Sequence, residues 1–69
     1  MKFEQRLKEI RTKNELSQQK IANILGIFRE QYARYENGER EMPIHHYVTL
    51  AEFYKVSVDF LCGRTDEEQ

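Results

Sequence analysis

The chain has 69 residues and a single cysteine, which predicts one small domain without an internal disulfide. Charged residues make up 33% and hydrophobic residues 39%, which is typical of a globular chain and excludes a disordered one. The sequence shows no apolar run of membrane-spanning length and no leader-like beginning, so we expect a cytoplasmic protein.

Charge is unevenly distributed along the chain. The net charge of −1 argues weakly against a nucleic-acid partner. Residues 1–40, however, hold nine Lys and Arg against six Asp and Glu, whereas residues 66–69 hold three acids. The local field matters more than the net charge to a partner that approaches one face. We therefore expect a mildly basic domain over residues 1–65, followed by an acidic tail over residues 66–69.

Apolar residues at helical spacing predict five short helices and no strand. The first covers about residues 2–13, and its stripe contains Phe3, Leu7 and Ile10. Ser17 is suited to cap a second helix over residues 18–25. Gly26 ends that helix, because glycine adopts a left-handed conformation without strain. The third helix covers about residues 29–36, with Tyr32 and Tyr35 facing inward.

The fourth helix follows Pro43 and runs to about residue 54. Its predicted buried face consists of Ile44, Tyr47, Val48, Leu50, Ala51 and Tyr54. His45 and His46 are interpreted as part of a solvated face, since adjacent helical residues point about 100° apart and cannot easily share a metal ion. A fifth short helix begins after Ser57, which caps it, and ends at Gly63.

The second and third helices have the lengths and the spacing of a helix-turn-helix. Two short helices are joined by a three-residue turn that contains Gly26. In that motif the second helix enters the major groove of DNA and the first lies across the backbone. Many small helical bundles also contain such a pair, so the spacing alone does not decide the function.

Three segments carry a resemblance to a known family: RLKEIRTKNELSQQKIANILGI, RYENGER and PIHHYVTLAEFYKVSVDFLCGRTD. Together they resemble the phage-repressor/Cro-type helix-turn-helix regulators, also called the xenobiotic response element (XRE) family, over about residues 6–66. The resemblance implies an all-α, compact five-helix lambda-repressor-like domain. It also implies binding to double-stranded operator DNA, usually as a dimer, by a bacterial or phage transcription regulator. We expect a sequence-specific repressor that binds a palindromic operator as a homodimer.

The resemblance also distributes roles among residues. The base-reading positions that it implies are Arg29, Glu30, Ala33 and Arg34, to which we add Gln31 at their flank and Phe28 before them as candidates. The phosphate-contacting positions are Ser17, Gln18, Asn37, Gly38 and Arg40, with Asn37 and Gly38 acting through a side chain and exposed amides. A structural salt bridge is implied between Arg11 and Glu36. A dimer surface is expected at Val56, Val58, Phe60 and Leu61, where apolar surface exceeds what a small core can hide.

Two positions keep alternative interpretations. Arginine meets guanine in two-pronged fashion, so Arg29 and Arg34 are the main candidates for base reading. Glu30 either accepts a hydrogen bond from cytosine or pairs with Arg34 four residues on. Phe28 stands where the family commonly has a capping Ser or Thr. Its ring either packs against the second helix or Tyr32, or meets thymine methyls or sugars.

Other functions are less consistent with the sequence. No Ser/His/Asp set, glycine-rich phosphate loop or metal-ligand spacing occurs, so we expect no enzyme, metal or cofactor. Two alternatives remain open: the antitoxin of a toxin–antitoxin pair, or an interaction module that kept the fold without binding DNA. In either case the partner would be a protein, such as a toxin or an antirepressor.

Overall fold

The computed structural model describes residues 3–65, with side chains from Gln5 onward. Five helices follow one another: α1 (Phe3–Lys13), α2 (Gln18–Leu25), α3 (Arg29–Glu36), α4 (Ile44–Tyr54) and α5 (Val58–Leu61). No strand occurs within residues 3–65. The all-α, five-helix prediction is therefore confirmed. The predicted acidic tail, residues 66–69, lies outside the described residues.

The ends of α2 and the start of α5 are fixed by the residues that the sequence suggested. The Ser17 hydroxyl accepts a hydrogen bond from the Lys20 amide at 3.0 Å, and the Ser57 hydroxyl accepts one from the Phe60 amide at 3.0 Å. Gly26 ends α2 with φ 73°, a left-handed conformation that favours glycine. These local signals set the length of the turn that leads into α3.

The core lies between α3 and the helices around it. Its fully buried large side chains are Leu7, Ile21, Tyr32, Leu50 and Leu61, contributed by all five helices. Helix α3 packs against both α1 and α2, while α5 packs against α1 and α4. The Arg6 guanidinium lies 4.0 Å from the centre of the Phe60 ring and joins α1 to α5. Helix α3 is thereby packed on one side against α1 and α2, and its other side is exposed to solvent.

The buried face of α4 differs from the prediction. Leu50 and Ala51 are buried as expected, but Ile44 is 67% and Val48 43% exposed, so their assignment to the buried face is wrong. Ile44 and Leu50 are six residues apart, which places them about 120° apart around a helix of 3.6 residues per turn. They cannot both face one core, and the core takes Leu50.

His46 is buried, so the expectation that it lies on a solvated face is wrong. It lies on the same side of α4 as Leu50 and packs near Tyr35, with ring centres 6.2 Å apart. The exposed His45 ring lies 4.2 Å from that of His46. Burial, with a smaller effect of His45, lowers the pKa of His46 below its ordinary value of 6.5.

The apolar residues around α5 are mostly internal. Phe60 is 6% exposed and Leu61 is fully buried, while Val56 and Val58 are half-buried against the core. The expectation that Phe60 and Leu61 supply surplus surface for a dimer is therefore wrong. Helix α5 is a single turn, and these two side chains close the core against α1 and α4.

No helix within residues 3–65 combines the length and the apolar character needed to cross a bilayer.

We predict that acid destabilises the fold through His46. Its pKa is lowered in the folded chain, so the unfolded chain binds the proton first, near pH 6.5. The free energy of unfolding should be unaffected by this group above that pH, fall as the pH drops through it, and stop falling below the folded-state pKa. Urea denaturation at a series of pH values between roughly 8 and 5 measures the effect.

The matched variants are His46→Gln and His45→Gln. Replacing His46 should flatten the pH dependence in this window, whereas replacing the exposed His45 should leave most of it, because burial is the larger cause. An unchanged slope in the His46 variant would contradict the prediction.

Candidate nucleic-acid interface

Phe28 occupies the N-cap position, immediately before the first residue of α3. This residue is extended at the N-cap position and makes no side-chain hydrogen bond to the helix. Its carbonyl accepts hydrogen bonds from the amides of Gln31 and Tyr32, at 3.0 and 3.1 Å, so the backbone alone starts the helix. Phe28 is 78% exposed, which rules out the interpretation that it packs against α2 or Tyr32. The ring is presented to solvent at the edge of the motif.

The two sides of α3 are chemically distinct. Its buried side consists of Tyr32, Tyr35 and Glu36. Its exposed side consists of Arg29, Glu30, Gln31 and Arg34, with Ala33 half-buried between them. Four of the five predicted base-reading positions on α3 are therefore part of its exposed surface. That surface presents two guanidinium groups, one carboxylate and one amide.

Glu30 pairs with Arg29 rather than with Arg34. Its Oε1 atom lies 3.5 Å from Nη2 of Arg29, and both side chains are largely exposed. The expected pairing of Glu30 with Arg34 is absent, and Arg34 makes no ion pair within the described residues. Exposed pairs contribute about 0–1 kcal/mol, so a ligand can separate this one at low cost.

A concave site of about 320 Å³ runs along α3 to the loop that follows it. It is lined by Phe28, Glu30, Gln31, Arg34, Tyr35, Arg40 and Glu41. Sequence reasoning placed Tyr35 in the core and assigned no role to Glu41. Tyr35 belongs both to the core and to the concave site, since its side chain is buried while its hydroxyl lies 3.4 Å from Nε2 of Gln31. Only the i, i+4 spacing of Gln31 and Tyr35 indicated this contact.

The ion pair implied between Arg11 and Glu36 is present and almost fully enclosed. Nε of Arg11 donates to Oε2 of Glu36 at 2.6 Å, and Nη2 donates to Oε1 at 3.0 Å. Nη1 of the same guanidinium donates to the carbonyl of Leu16 at 2.7 Å. Arg11 therefore connects α1, the loop before α2 and the last turn of α3. Two-pronged pairing of this kind joins opposite charges and also fixes the relative orientation of the two side chains.

The pair keeps both groups ionised. Burial alone would raise the pKa of Glu36, but hydrogen bonds from Arg11 and its neighbours hold that pKa below 4.5. The same hydrogen bond raises the pKa of Arg11. Burial, followed by the Glu36 carboxylate, raises the pKa of Tyr32 and brings that of Tyr54 to about 12. Both phenols therefore stay neutral at physiological pH and add no negative charge beside Glu36.

Gln18 links this ion pair to the exposed side of α3. Its Nε2 donates to Oε1 of Glu36 at 3.2 Å, and its Oε1 accepts from Nη1 of Arg29 at 3.5 Å. A carboxylate only accepts and a guanidinium only donates, so a side-chain amide suits the place between them. The sequence suggested a phosphate contact for Gln18 and gave no sign of this internal link.

The N-terminus of α2 is suited to an anion. Ser17 caps the helix through its oxygen and retains its hydroxyl hydrogen as a donor. The first turn carries no acidic residue, so no carboxylate there neutralises the positive end of the helix dipole or repels an anion. Backbone amides at such an end favour phosphate.

The second group of expected phosphate contacts, at Asn37, Gly38 and Arg40, is only partly as predicted. The amides of Asn37 and Gly38 donate to carbonyls of α3, at 3.0 Å to Ala33 and 3.3 Å to Tyr35. The expectation that these amides are open to a phosphate is therefore wrong, because they complete the end of the helix. The Asn37 side chain, bonded to Glu39 at 3.2 Å, and the exposed Arg40 are the polar groups at this place.

Within the described residues, no group of three or more His, Cys, Asp or Glu side chains is arranged to hold a metal ion.

Comparisons with known proteins agree with this geometry. The helix-turn-helix domain family matches residues 5–66. The SPbeta prophage-derived HTH-type transcriptional regulator YonR of Bacillus subtilis is 42% identical over 91% of this chain and 58% of its own length. The phage CTXphi transcriptional repressor RstR of Vibrio cholerae is 37% identical over all of this chain and 63% of its own.

A solved structure has the same fold. The crystal structure of a transcriptional regulator from Listeria innocua superposes with a TM-score of 0.88 at 27% identity, covering 96% of this chain and 62% of that one. The chain thus spans somewhat more than half the length of the proteins it resembles. It belongs to the phage-repressor/Cro-type helix-turn-helix family of DNA-binding transcriptional regulators.

We predict that Glu36→Ala destabilises the protein by about 3–5 kcal/mol, because it leaves the Arg11 guanidinium buried without its partner. The melting temperature should fall, and any DNA affinity should fall with it, since Gln18 and Arg29 lose their support. Thermal unfolding followed by circular dichroism measures the first effect. Glu39→Ala, at an exposed position three residues on, is the control and should change stability by less than about 0.5 kcal/mol. An unaltered melting temperature for Glu36→Ala would refute the structural role.

Proposed function

We propose that this chain represses transcription by binding a two-fold symmetric DNA operator as a homodimer, with α3 in the major groove. The observation that carries the proposal is the exposed side of α3, where two arginines stand on a helix fixed from behind by the Arg11–Glu36 pair. A rigid support matters because base reading depends on side chains held in a set geometry.

The two arginines suit different parts of the recognition. Within the described residues Arg34 has no ion pair to break, so it can approach O6 and N7 of a guanine directly. Arg29 must first leave Glu30, which is a weak exposed contact. Once separated, Glu30 can accept from a cytosine amino group, and Gln31 can reach a neighbouring base. Ala33 is small enough for the helix to approach the groove closely.

Backbone contacts would fix the register. Ser17 and Gln18 stand at the start of α2, where an anion is favoured, and Asn37 and Arg40 stand beyond the end of α3. Gly38 lies between them at φ 75° and turns the chain there. The two sets flank the base-reading surface of α3 in sequence. Such contacts position a protein without reading the bases, and they make the affinity fall as salt rises.

Two copies are needed for a useful operator. Helix α3 has eight residues and is roughly 12 Å long, so it can meet only a few base pairs. A dimer reads two half-sites, with centres about one turn of DNA apart. The assignment as a repressor is supported by the likeness to RstR, which is a transcriptional repressor of a phage.

Selection of bound duplexes from a random pool tests the proposal. We expect a palindromic consensus with half-sites about one helical turn apart. The variant Arg34→Ala should bind the selected site more weakly by about 1–3 kcal/mol and lose preference at one position in each half-site. Lys8→Ala, on the exposed side of α1, is the control and should keep both affinity and preference. A pool that yields no consensus would rule out sequence-specific binding.

Phe28→Ser tests whether the exposed ring contacts DNA. Serine caps α3, where Phe28 makes no side-chain hydrogen bond, and should stabilise the protein by about 0.5–2 kcal/mol. If the ring meets thymine methyls or sugars, the selected consensus should also change. Denaturant unfolding and a repeated duplex selection give the two readouts. A capped, more stable protein with the original consensus would exclude a role for the ring in recognition.

A further inference from the structure

An aromatic ring and a carboxylate lie together at the start of α3. Phe28 is 78% exposed and Glu30 is exposed, and both line the concave site of about 320 Å³ that runs along the helix. They stand on either side of Arg29 in the chain. A base edge that enters this site can therefore meet an apolar surface and a hydrogen-bond acceptor at once.

The carboxylate of Glu30 restricts which base fits. A carboxylate accepts hydrogen bonds and donates none. In the major groove only cytosine and adenine present an amino group, and adenine also presents its N7 atom, an acceptor that a carboxylate repels. Guanine and thymine present acceptors without an amino donor there. Glu30 therefore favours cytosine, through the N4 amino group of that base.

The ring of Phe28 adds a second condition. Its side chain neither caps α3 nor packs in the core, so its apolar surface is available to a ligand. On the major-groove edge of a pyrimidine, the substituent at C4 lies beside C5. Thymine has a methyl group at C5 but carries the O4 acceptor, which Glu30 repels. Cytosine has the amino group but no methyl group. Among the pyrimidines, 5-methylcytosine combines the two groups that this site matches.

The charged neighbours of the site are suited to other parts of the DNA. Arg34 matches the acceptors of guanine, and Arg40 matches phosphate oxygens. Glu41 also lines the site, but it lies between α3 and α4, outside the helix proposed to enter the groove. Within α3, Glu30 is the one exposed carboxylate, since Glu36 is buried. Reading of an amino group by α3 therefore falls to Glu30.

We propose that Phe28 and Glu30 read one cytosine in each half-site and bind it more tightly when it carries a 5-methyl group. Glu30 accepts a hydrogen bond from the N4 amino group, and the Phe28 ring covers the methyl group at C5. The inference rests on the proposed function, since it requires α3 in the major groove. Operator affinity then depends on the methylation of the DNA as well as on its sequence.

Four versions of the selected duplex test the inference. They differ at the position of each half-site where Glu30→Gln relaxes the selection, which holds cytosine, 5-methylcytosine, N4-methylcytosine or thymine paired with adenine. At fixed salt, 5-methylcytosine should tighten binding about threefold to fivefold per half-site, as burial of one methyl group does. Thymine should weaken binding by about tenfold or more. N4-methylcytosine carries the same methyl group in place of the amino hydrogen that faces the groove, so it should weaken binding too.

Two variants separate the ring from the carboxylate. Phe28→Ala should bind the cytosine and 5-methylcytosine duplexes equally and still discriminate against thymine, and the exposure of position 28 lets it fold. Glu30→Gln should discriminate less against thymine, because its amide can donate to O4. Phe53→Ala removes an exposed ring of α4 that lies outside the concave site, so this control should keep the full preference. Circular dichroism checks that each variant folds.

The outcomes separate this inference from the proposed function. Equal or weaker binding of the wild-type chain to the 5-methylcytosine duplex overturns the inference, and would follow if Phe28 and Glu30 met two different bases. A Phe28→Ala protein that keeps the preference for the methyl group overturns it as well, as does a Glu30→Gln protein that relaxes no cytosine position. Each of these results leaves the proposed function in place, because a consensus has been selected. A pool that yields no consensus refutes the proposed function and the inference with it.

Discussion

The Arg11–Glu36 ion pair is the interaction on which the arrangement of the helices depends. It joins the first helix, the loop before α2 and the last turn of α3 through three hydrogen bonds from one guanidinium. Removing two charges from water carries a large penalty, which their attraction and added hydrogen bonds offset only when the geometry is good. The pair is thus a poor source of net stability compared with an apolar contact. What it supplies is a single orientation of α3 relative to α1.

That orientation reaches the surface through one amide. Gln18 faces the buried carboxylate on one side and the exposed guanidinium of Arg29 on the other. The position of Arg29, the first exposed side chain of α3, is therefore set through Gln18 by a buried ion pair. Arg34, farther along α3, has no comparable hydrogen bond within the described residues. Within the described residues, α3 thus carries one arginine whose side chain is held by its neighbours, Arg29, and one whose side chain is not, Arg34.

Local signals explain why the helix boundaries could be predicted. Ser17, Gly26 and Ser57 act through neighbouring backbone groups, and such effects do not require knowledge of the tertiary structure. The residues that carry the site could be named because the motifs RYENG and LSQ place them by resemblance. Spacing alone would have given only a pair of helices.

The wrong predictions share a different cause. Helix α4 has apolar residues around most of its circumference, so periodicity could not say whether Leu50 or Ile44 meets the core, nor that His46 does. The partner of Glu30 was equally undetermined, because Arg29 and Arg34 were both within reach and the difference in energy is small. The Asn37 and Gly38 amides were expected to be open because only the end of the helix, once built, shows where they donate.

The position of Phe28 has a consequence for how such regulators diverge. Its side chain neither caps α3 nor fills the core, so the packing of the core places no demand on the side chain at this position. Substitutions there can accumulate without first being compensated elsewhere, unlike those at Glu36 or Tyr32. A substitution at position 28 therefore changes the exposed surface beside the start of α3 while leaving the packing of the core as it is.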